Sequence, residues 1–198
     1  MSNHVETRLS ETGFAKAIRR FARAETGASA VEFSLIALPF FMLLFGVLQL
    51  GALFMASTTI EAATVDAARQ IRTGQLQNTG TNTAAGFKSL VCSDSNMAWV
   101  SPIDCNNNLS VDVRTFGSFG AITNTPPVKN GAIDPTQLQF NSGTNCSIVL
   151  VRIYYPYPVF APTLTPGMSD LSNNQKLISF AAAFRNENWG TTGNCGAP

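Results

Sequence analysis

Between Glu32 and Glu61 the chain runs for 28 residues without Asp, Glu, Lys, Arg or His, and the large apolar side chains of Phe33, Leu35, Ile36, Phe40, Phe41, Leu43, Leu44 and Phe45 follow one another with no polar period. A helix that is apolar all round has no face to offer water. At about 1.5 Å per residue such a helix reaches roughly 42 Å, more than the roughly 30 Å of a bilayer's hydrocarbon core. The pattern predicts a membrane span, and Pro39 within it is no obstacle because prolines are tolerated in membrane helices. Beyond it, Ile60, Ala63, Ala67, Ala68 and Ile71 recur at helical intervals with Glu61, Asp66, Arg69 and Arg72 among them. That is the period of a half-buried helix, so the same rod is predicted to continue to about Gln75.

Further along, the patterning changes. A second short helix is predicted around Ala84 to Val91, after a Thr-, Asn- and Gly-rich loop from Gly80 to Gly86. Leu109, Val111 and Val113 alternate with Ser110, Asp112 and Arg114, which predicts a half-exposed strand. Ser147 to Tyr155 is rich in β-branched and aromatic residues on both faces and predicts a central strand, ended by Pro156 and Pro158. Leu177 to Glu187 follows a loop of Pro, Gly, Asn and Asp and predicts a returning antiparallel strand. The stretch from Gly117 to Gly143, with Pro126, Pro127 and Pro135, reads as a long surface loop whose exposed face is open to partners. The fold class is α+β: a long N-terminal transmembrane helix extending into a small domain with an antiparallel sheet of about three to four strands.

Charge gives this helix a direction. Only 13% of the 198 residues are charged, with a net charge of +1, so a broad basic face for nucleic acid is absent. Arg8, Lys16, Arg19, Arg20 and Arg23 precede the span, whereas the nearest basic residues after it are Arg69 and Arg72. The excess predicts an N-terminus in the cytoplasm. Phe14, Ile18 and Phe21 form a stripe in this leader, which reads either as a basic amphipathic helix on an anionic bilayer or as an ordinary positive flank. A cleaved secretory signal needs an apolar region of about 7 to 15 residues, and this one is about twice as long.

Candidate chemistry is sparse. His4 is the one histidine, and no phosphate-binding loop, zinc-protease, nucleophile-elbow or EF-hand pattern occurs. Asp94, Asp104 and Asn106 to Asn108 have the residue types of a calcium site, yet Asn-rich turns need no ion. No cofactor, metal or small-molecule substrate is expected. Tyr154, Tyr155, Tyr157 and Phe160 cluster in sequence, with core packing as their default role and an adhesive or carbohydrate-contacting surface as the sharper one. All four cysteines, Cys92, Cys105, Cys146 and Cys195, lie after the span. That fits disulfides in an oxidising compartment such as the bacterial periplasm; zinc fits poorly, because no C-x2-C pair occurs and no histidine lies near.

The junction of leader and span is the most informative segment. A small-residue run, Thr26-Gly27-Ala28-Ser29-Ala30-Val31, leads to one carboxylate, Glu32, and then Phe33. By spacing alone Glu32 reads equally as a boundary residue, since an acid is favoured near a helix N-terminus and costs little at the membrane edge. The segment from Gly27 to Phe33, followed by Leu35, Pro39, Leu43-Leu44-Phe45-Gly46, Ala62-Ala63 and Ala67-Ala68-Arg69, resembles the TadE-like proteins of tight-adherence (Flp-type) pilus systems.

The resemblance implies a pseudopilin. In that family a prepilin peptidase cuts after the glycine, which here falls between Gly27 and Ala28 and leaves Glu32 as the fifth residue of the processed chain. A glycine lets a peptidase approach the backbone closely. Cleavage creates an α-amine on Ala28, and a carboxylate one turn along a neighbouring helix is its natural partner in an apolar bundle. Major pilins of this system have Glu-Tyr at the fifth and sixth positions and a very short chain; Phe33 and the long appended domain point instead to a minor pilin or assembly component. Gln49 stands where many relatives have a Glu.

The implied organisation is a cytoplasmic basic leader over 1–27, a transmembrane helix over 28–60 and a periplasmic domain over 61–198. The implied partners are the membrane, the prepilin peptidase, other pilins or pseudopilins and inner-membrane assembly components. If the last two strands pair antiparallel, Cys146 at the start of one lies near Cys195 beyond the end of the other, which leaves Cys92 to Cys105. Phe184-Arg185-Asn186-Glu187 is similar to a sequence near the end of many relatives and is assigned to structure. The alternatives are an uncleaved single-pass assembly or anchoring protein of the same machinery and a membrane-tethered periplasmic enzyme.

Overall fold

The computed structural model describes residues 25–94, 97–100, 105–123, 125–160, 167–189 and 195. The basic leader with its Phe14, Ile18 and Phe21 stripe, and Asp104, lie outside the described residues. Helix α1 (Glu25–Arg72) is followed by single turns α2 (Gln75–Asn78), α4 (Met97–Val100) and α5 (Cys105–Asn108), with α3 (Ala84–Cys92) between the first two. The strands are β1 (Ser110–Phe116), β2 (Val128–Lys129), β3 (Ala132–Ile133), β4 (Ile148–Pro158) and β5 (Gln175–Arg185). The chain divides between Val47 and Leu48 into two units.

In the first unit the side chains of α1 are open. Phe33 is 71% exposed and Leu35 73%, and the most apolar window of the helix, with mean hydropathy 2.2, has none of its residues buried. Phe41 packs against Phe40 and Phe45 of its own helix at ring-centroid distances of 5.6 and 6.4 Å. Pro39 sits inside α1.

In the second unit α1 behaves as a core helix. Ala56, Ile60, Ala63, Thr64, Ala67, Ala68 and Ile71 are buried at helical spacing, while Glu61, Asp66 and Arg69 face out. The buried alanines let neighbouring elements come close, and the Thr64 hydroxyl is satisfied by donating to the Ile60 carbonyl at 2.6 Å. Together with Phe87 and Val91 of α3 they share one core with Val111 and Val113 of β1 and Val149, Val151, Ile153 and Tyr155 of β4. Thr83 caps α3 by accepting from the Gly86 amide at 3.1 Å. The rod ends at Gly74, whose φ of +75° suits glycine, and a Cβ there would stand 2.5 Å from the Trp189 ring. The Arg72 carbonyl accepts from the Glu187 amide at 2.9 Å, so the end of the last strand caps the end of the helix.

The main sheet has the order β1-β4-β5, antiparallel throughout, with Val113 opposite Val151 and Val151 opposite Ala182. Three sequence readings change. β4 runs through Pro156 and ends only at Pro158. β1 stops opposite Tyr154, so that beyond it β4 has only β5 beside it, and prolines two positions apart face the same edge. The predicted solvent face of β1 is covered, because Asp112 is fully buried. The Gly117 to Gly143 stretch is not plain loop. It holds a hairpin, β2–β3, turned by Asn130 and Gly131, both with positive φ as a two-residue primed turn requires. A 3₁₀ turn at Pro135–Gln137 follows, capped by Asp134. The Thr136 hydroxyl, the Gln137 amide and the Thr136 N–H all donate to that carboxyl and hold it below its ordinary value.

Candidate functional site

The residues singled out at the junction fall in the first turns of α1. The helix is already formed at Glu25, so Gly27 and Glu32 lie within it rather than at its boundary. Gly27 is half-buried, and Glu32 and Phe33 are exposed. Glycine costs a helix about 1 kcal/mol relative to alanine, so the turn at Gly27 is weakly held. About two turns on, Ser34 donates from Oγ to the Val31 carbonyl at 2.9 Å, satisfying its hydroxyl within the helix. The arrangement offers one exposed carboxylate at the head of an exposed apolar surface.

The cysteines lie elsewhere and are brought together in pairs. Cys92 at the end of α3 bonds Cys105 at the start of α5, and Cys146 in the turn before β4 bonds Cys195. The first bridge closes a short loop of separation 13, the second a longer one of separation 49. Around the second, Asn186 is buried and donates from Nδ2 to the carbonyls of Ser142 and Thr144 at 3.0 and 2.8 Å, while Arg185 donates to the Cys146 carbonyl at 3.1 Å. The Phe184 to Glu187 segment therefore fastens the turn before β4 and the end of α1.

Sequence reasoning did not find the ionic centre of the sheet. Asp112 and Arg152 stand directly opposite each other on β1 and β4. Arg152 donates from Nε to Asp112 at 2.9 Å and from Nη2 to the same carboxylate; Arg114 donates from Nε at 3.0 Å and the Gln139 amide at 2.8 Å. Arg152 also donates to the Thr123 and Thr125 carbonyls at 3.2 and 3.4 Å, which holds the Gly117 to Gly143 segment over this face. A signal was present: an arginine in the middle of a strand read as buried on both faces needs a partner, and Asp112 was the acid on the neighbouring candidate strand.

Beside this network the Tyr154 ring is buried, its hydroxyl has no hydrogen-bond partner among the described residues, and burial raises its pKa above the ordinary value. Tyr155 and Tyr157 are buried as well, whereas Phe160 is 75% exposed. Among the described residues no group of three or more His, Cys, Asp or Glu side chains gathers to hold a metal ion. A shallow cavity of about 250 Å³ is lined by residues such as Asn107, Asn108, Ser110, Gly131, Pro156 and Ser172. Among the described residues its lining holds no titratable group.

A family model described as "TadE-like protein" matches residues 27–69, from the small-residue junction through the exposed part of α1 and into its buried part. No curated protein and no solved structure matches the chain.

Proposed function

Taking as premise that residues 27–69 are those of a TadE-like protein, we propose that this chain is a minor pseudopilin of a tight-adherence, type IV-like pilus system, needed for pilus assembly and surface attachment. Its work is helix packing rather than catalysis, as befits a pilus component. The observation that carries the reading is the coincidence of the family match with an open apolar helix headed by Gly27 and Glu32. Among the described residues one helix is long and apolar enough to cross a membrane. In this reading α1 sits in the bacterial inner membrane with its N-terminus in the cytoplasm and the sheet domain in the periplasm, where the two disulfides are stable.

A prepilin peptidase removes the leader after Gly27, and Ala28 gains an α-amine. Glu32 of one subunit then meets that amine on the next, which fixes the register between subunits in an assembled filament. Expression of the full chain with and without the peptidase tests the processing step. Mass analysis should find Ala28 as the first residue only when the peptidase is present; Met1 retained in both cases contradicts it and leaves the uncleaved anchor. Glu32→Ala should be cut normally yet enter filaments poorly, and normal piliation by that variant removes the role given to the carboxylate.

A further inference from the structure

The main sheet has two edges, and the molecule treats them differently. On β1 the edge is taken: Val113 donates its N–H to the Gln139 carbonyl at 2.8 Å, and its own carbonyl accepts from the Asn141 N–H at 2.8 Å. On β5 it is open. That strand runs for 11 residues in unbroken register against β4, and among the described residues no other strand lies on its far side. Open edges are normally guarded by a charge, a proline or a bulge. Between Lys176 and Arg185 there is none of the three.

The hydrogen bonds at the ends of β5 give the direction of each backbone group along it. The Asn186 N–H donates to the Ser147 carbonyl at 2.8 Å, one step beyond the Ile148–Arg185 pair, so even-numbered residues turn their amides and carbonyls toward β4 and odd-numbered residues turn theirs away. Pro156 and Pro158, which have no N–H to give, stand opposite the odd-numbered Leu177 and Gln175 in agreement. At one end the outward Gln175 carbonyl accepts from the Leu171 N–H at 3.0 Å, and just past the other end the outward Glu187 N–H donates to the Arg72 carbonyl at 2.9 Å. Between these closures Leu177, Ser179, Ala181 and Ala183 turn their amides and carbonyls outward, and among the described residues none of these groups bonds another backbone group. Ser179, Ala181 and Ala183 are exposed and small, so their side chains do not hinder an approaching strand.

These residues are placed symmetrically about Phe180. When the same stretch of another copy runs antiparallel beside it, Leu177 meets Ala183 and Ser179 meets Ala181 on each side of a two-fold axis, and every outward group finds its complement. The half-buried Phe180 rings meet at the axis. No like charges stand opposite, because Lys176 falls beside Phe184 and Arg185 beside Gln175. A parallel pairing in register would instead set Lys176 beside Lys176. We propose that two copies of the chain pair antiparallel through β5, joining their three-stranded sheets into one continuous sheet. The occupant is a second copy because the open stretch is its own complement in length, direction and charge. The inference stands on the sheet and needs no cleavage at Gly27, so it and the pseudopilin reading fail separately.

The test uses the full chain in lauryl maltoside micelles, prepared as Leu177→Cys and as Ala183→Cys with the native bridges left closed. In the proposed pair, position 177 of one copy lies directly opposite 183 of the other, whereas each position lies about 20 Å from its own equivalent, six residues along at about 3.4 Å each. A short bis-maleimide should therefore join the two variants when mixed and neither variant alone. Joining of each variant only to itself means a parallel contact. Equal joining at all positions, including Lys129→Cys on β2, means chance encounter within a micelle, and no joining means that solvent or another surface occupies the edge. Each of these results overturns the proposal. Ala181→Pro in both chains removes an outward N–H and should abolish the joining with the melting temperature shifted by no more than a few degrees, whereas Ala182→Pro removes an N–H given to β4 and should lower melting sharply. If Ala181→Pro does not fold, Ser179→Lys combined with Ala181→Lys sets lysine opposite lysine and should give the same loss. Joining that persists in the folded blocking variant overturns the proposal.

Discussion

The two parts of α1 are one continuous helix with opposite surroundings. Up to Val47 its leucines and phenylalanines lie open on all sides; from Ala56 to Ile71 one face of Ala, Ile and Thr is closed off while Glu61, Asp66 and Arg69 take the other. The difference is in side-chain size as well as polarity. Small residues on a single face let a sheet and a helix share a dense core, whereas bulky residues on every face leave nothing for a domain to cover. Apolarity alone does not distinguish a helix made for lipid from one made for protein, and the distribution around the axis does.

That contrast is open to attack at several points. The largest expected effect lies in the sheet that the second part of α1 helps to bury. Asp112→Ala leaves Arg152 buried without its carboxylate and should cost about 3 to 5 kcal/mol of domain stability, read as a lowered thermal midpoint. A loss below about 1 kcal/mol would mean that water reaches the network. Next, Ile60→Ala should cost about 2 to 5 kcal/mol, whereas Leu44→Ala should leave the domain's melting unmoved. Equal effects at the two positions would erase the distinction between the parts of the helix. Replacing both Cys146 and Cys195 by Ser should cost about 2 to 4 kcal/mol by freeing the longer closed loop.

The smaller effects sharpen the picture at the ends of the elements. Gly74→Ala meets both a left-handed backbone and the Trp189 ring, and should lower stability by about 1 to 2 kcal/mol or more. Alkaline pH gives the mildest effect. Burial raises the Tyr154 pKa above 10.0, an effect that neighbouring Arg152 opposes. The unfolded chain then loses the proton first, so stability is intact below pH 10 and falls as pH climbs past the unfolded value toward the folded one. Tyr154→Phe should flatten that slope at little cost near neutrality, since among the described residues the hydroxyl has no partner to lose. An unchanged alkaline slope would assign the loss to other groups.

Much of this architecture is legible in local periodicity. The length of α1, the short helix at Ala84–Cys92 and the pairing of a β-rich run with a returning strand all follow from spacing that neighbouring residues impose. What was missed depends on distant contacts or on turn chemistry. Asp112 has a solvent-facing position by alternation and is buried where the Gln139 amide donates to it and Arg152, bonded to the Thr123 and Thr125 carbonyls, pairs with it. Gln49 reads as one polar interruption of a span until Met168 is brought beside it from 119 residues away. The Asn130-Gly131 pair was visible, and inside a proline-bearing stretch its hairpin signal was read as loop. At the junction, Gly27 and Glu32 were legible as residue types, but nothing local shows that the helix already includes them.

The claim beneath all of this is that the open part of α1 lies in a bilayer with the sheet domain on its oxidising side. Protease added to intact spheroplasts, with the full-length chain in their membranes, tests it most directly. The account predicts that the domain is digested from outside, with a membrane-embedded α1 fragment left behind and no free thiol before lysis. A chain that survives protease until the cells are lysed, then partitions into the soluble fraction with four reactive thiols, contradicts it.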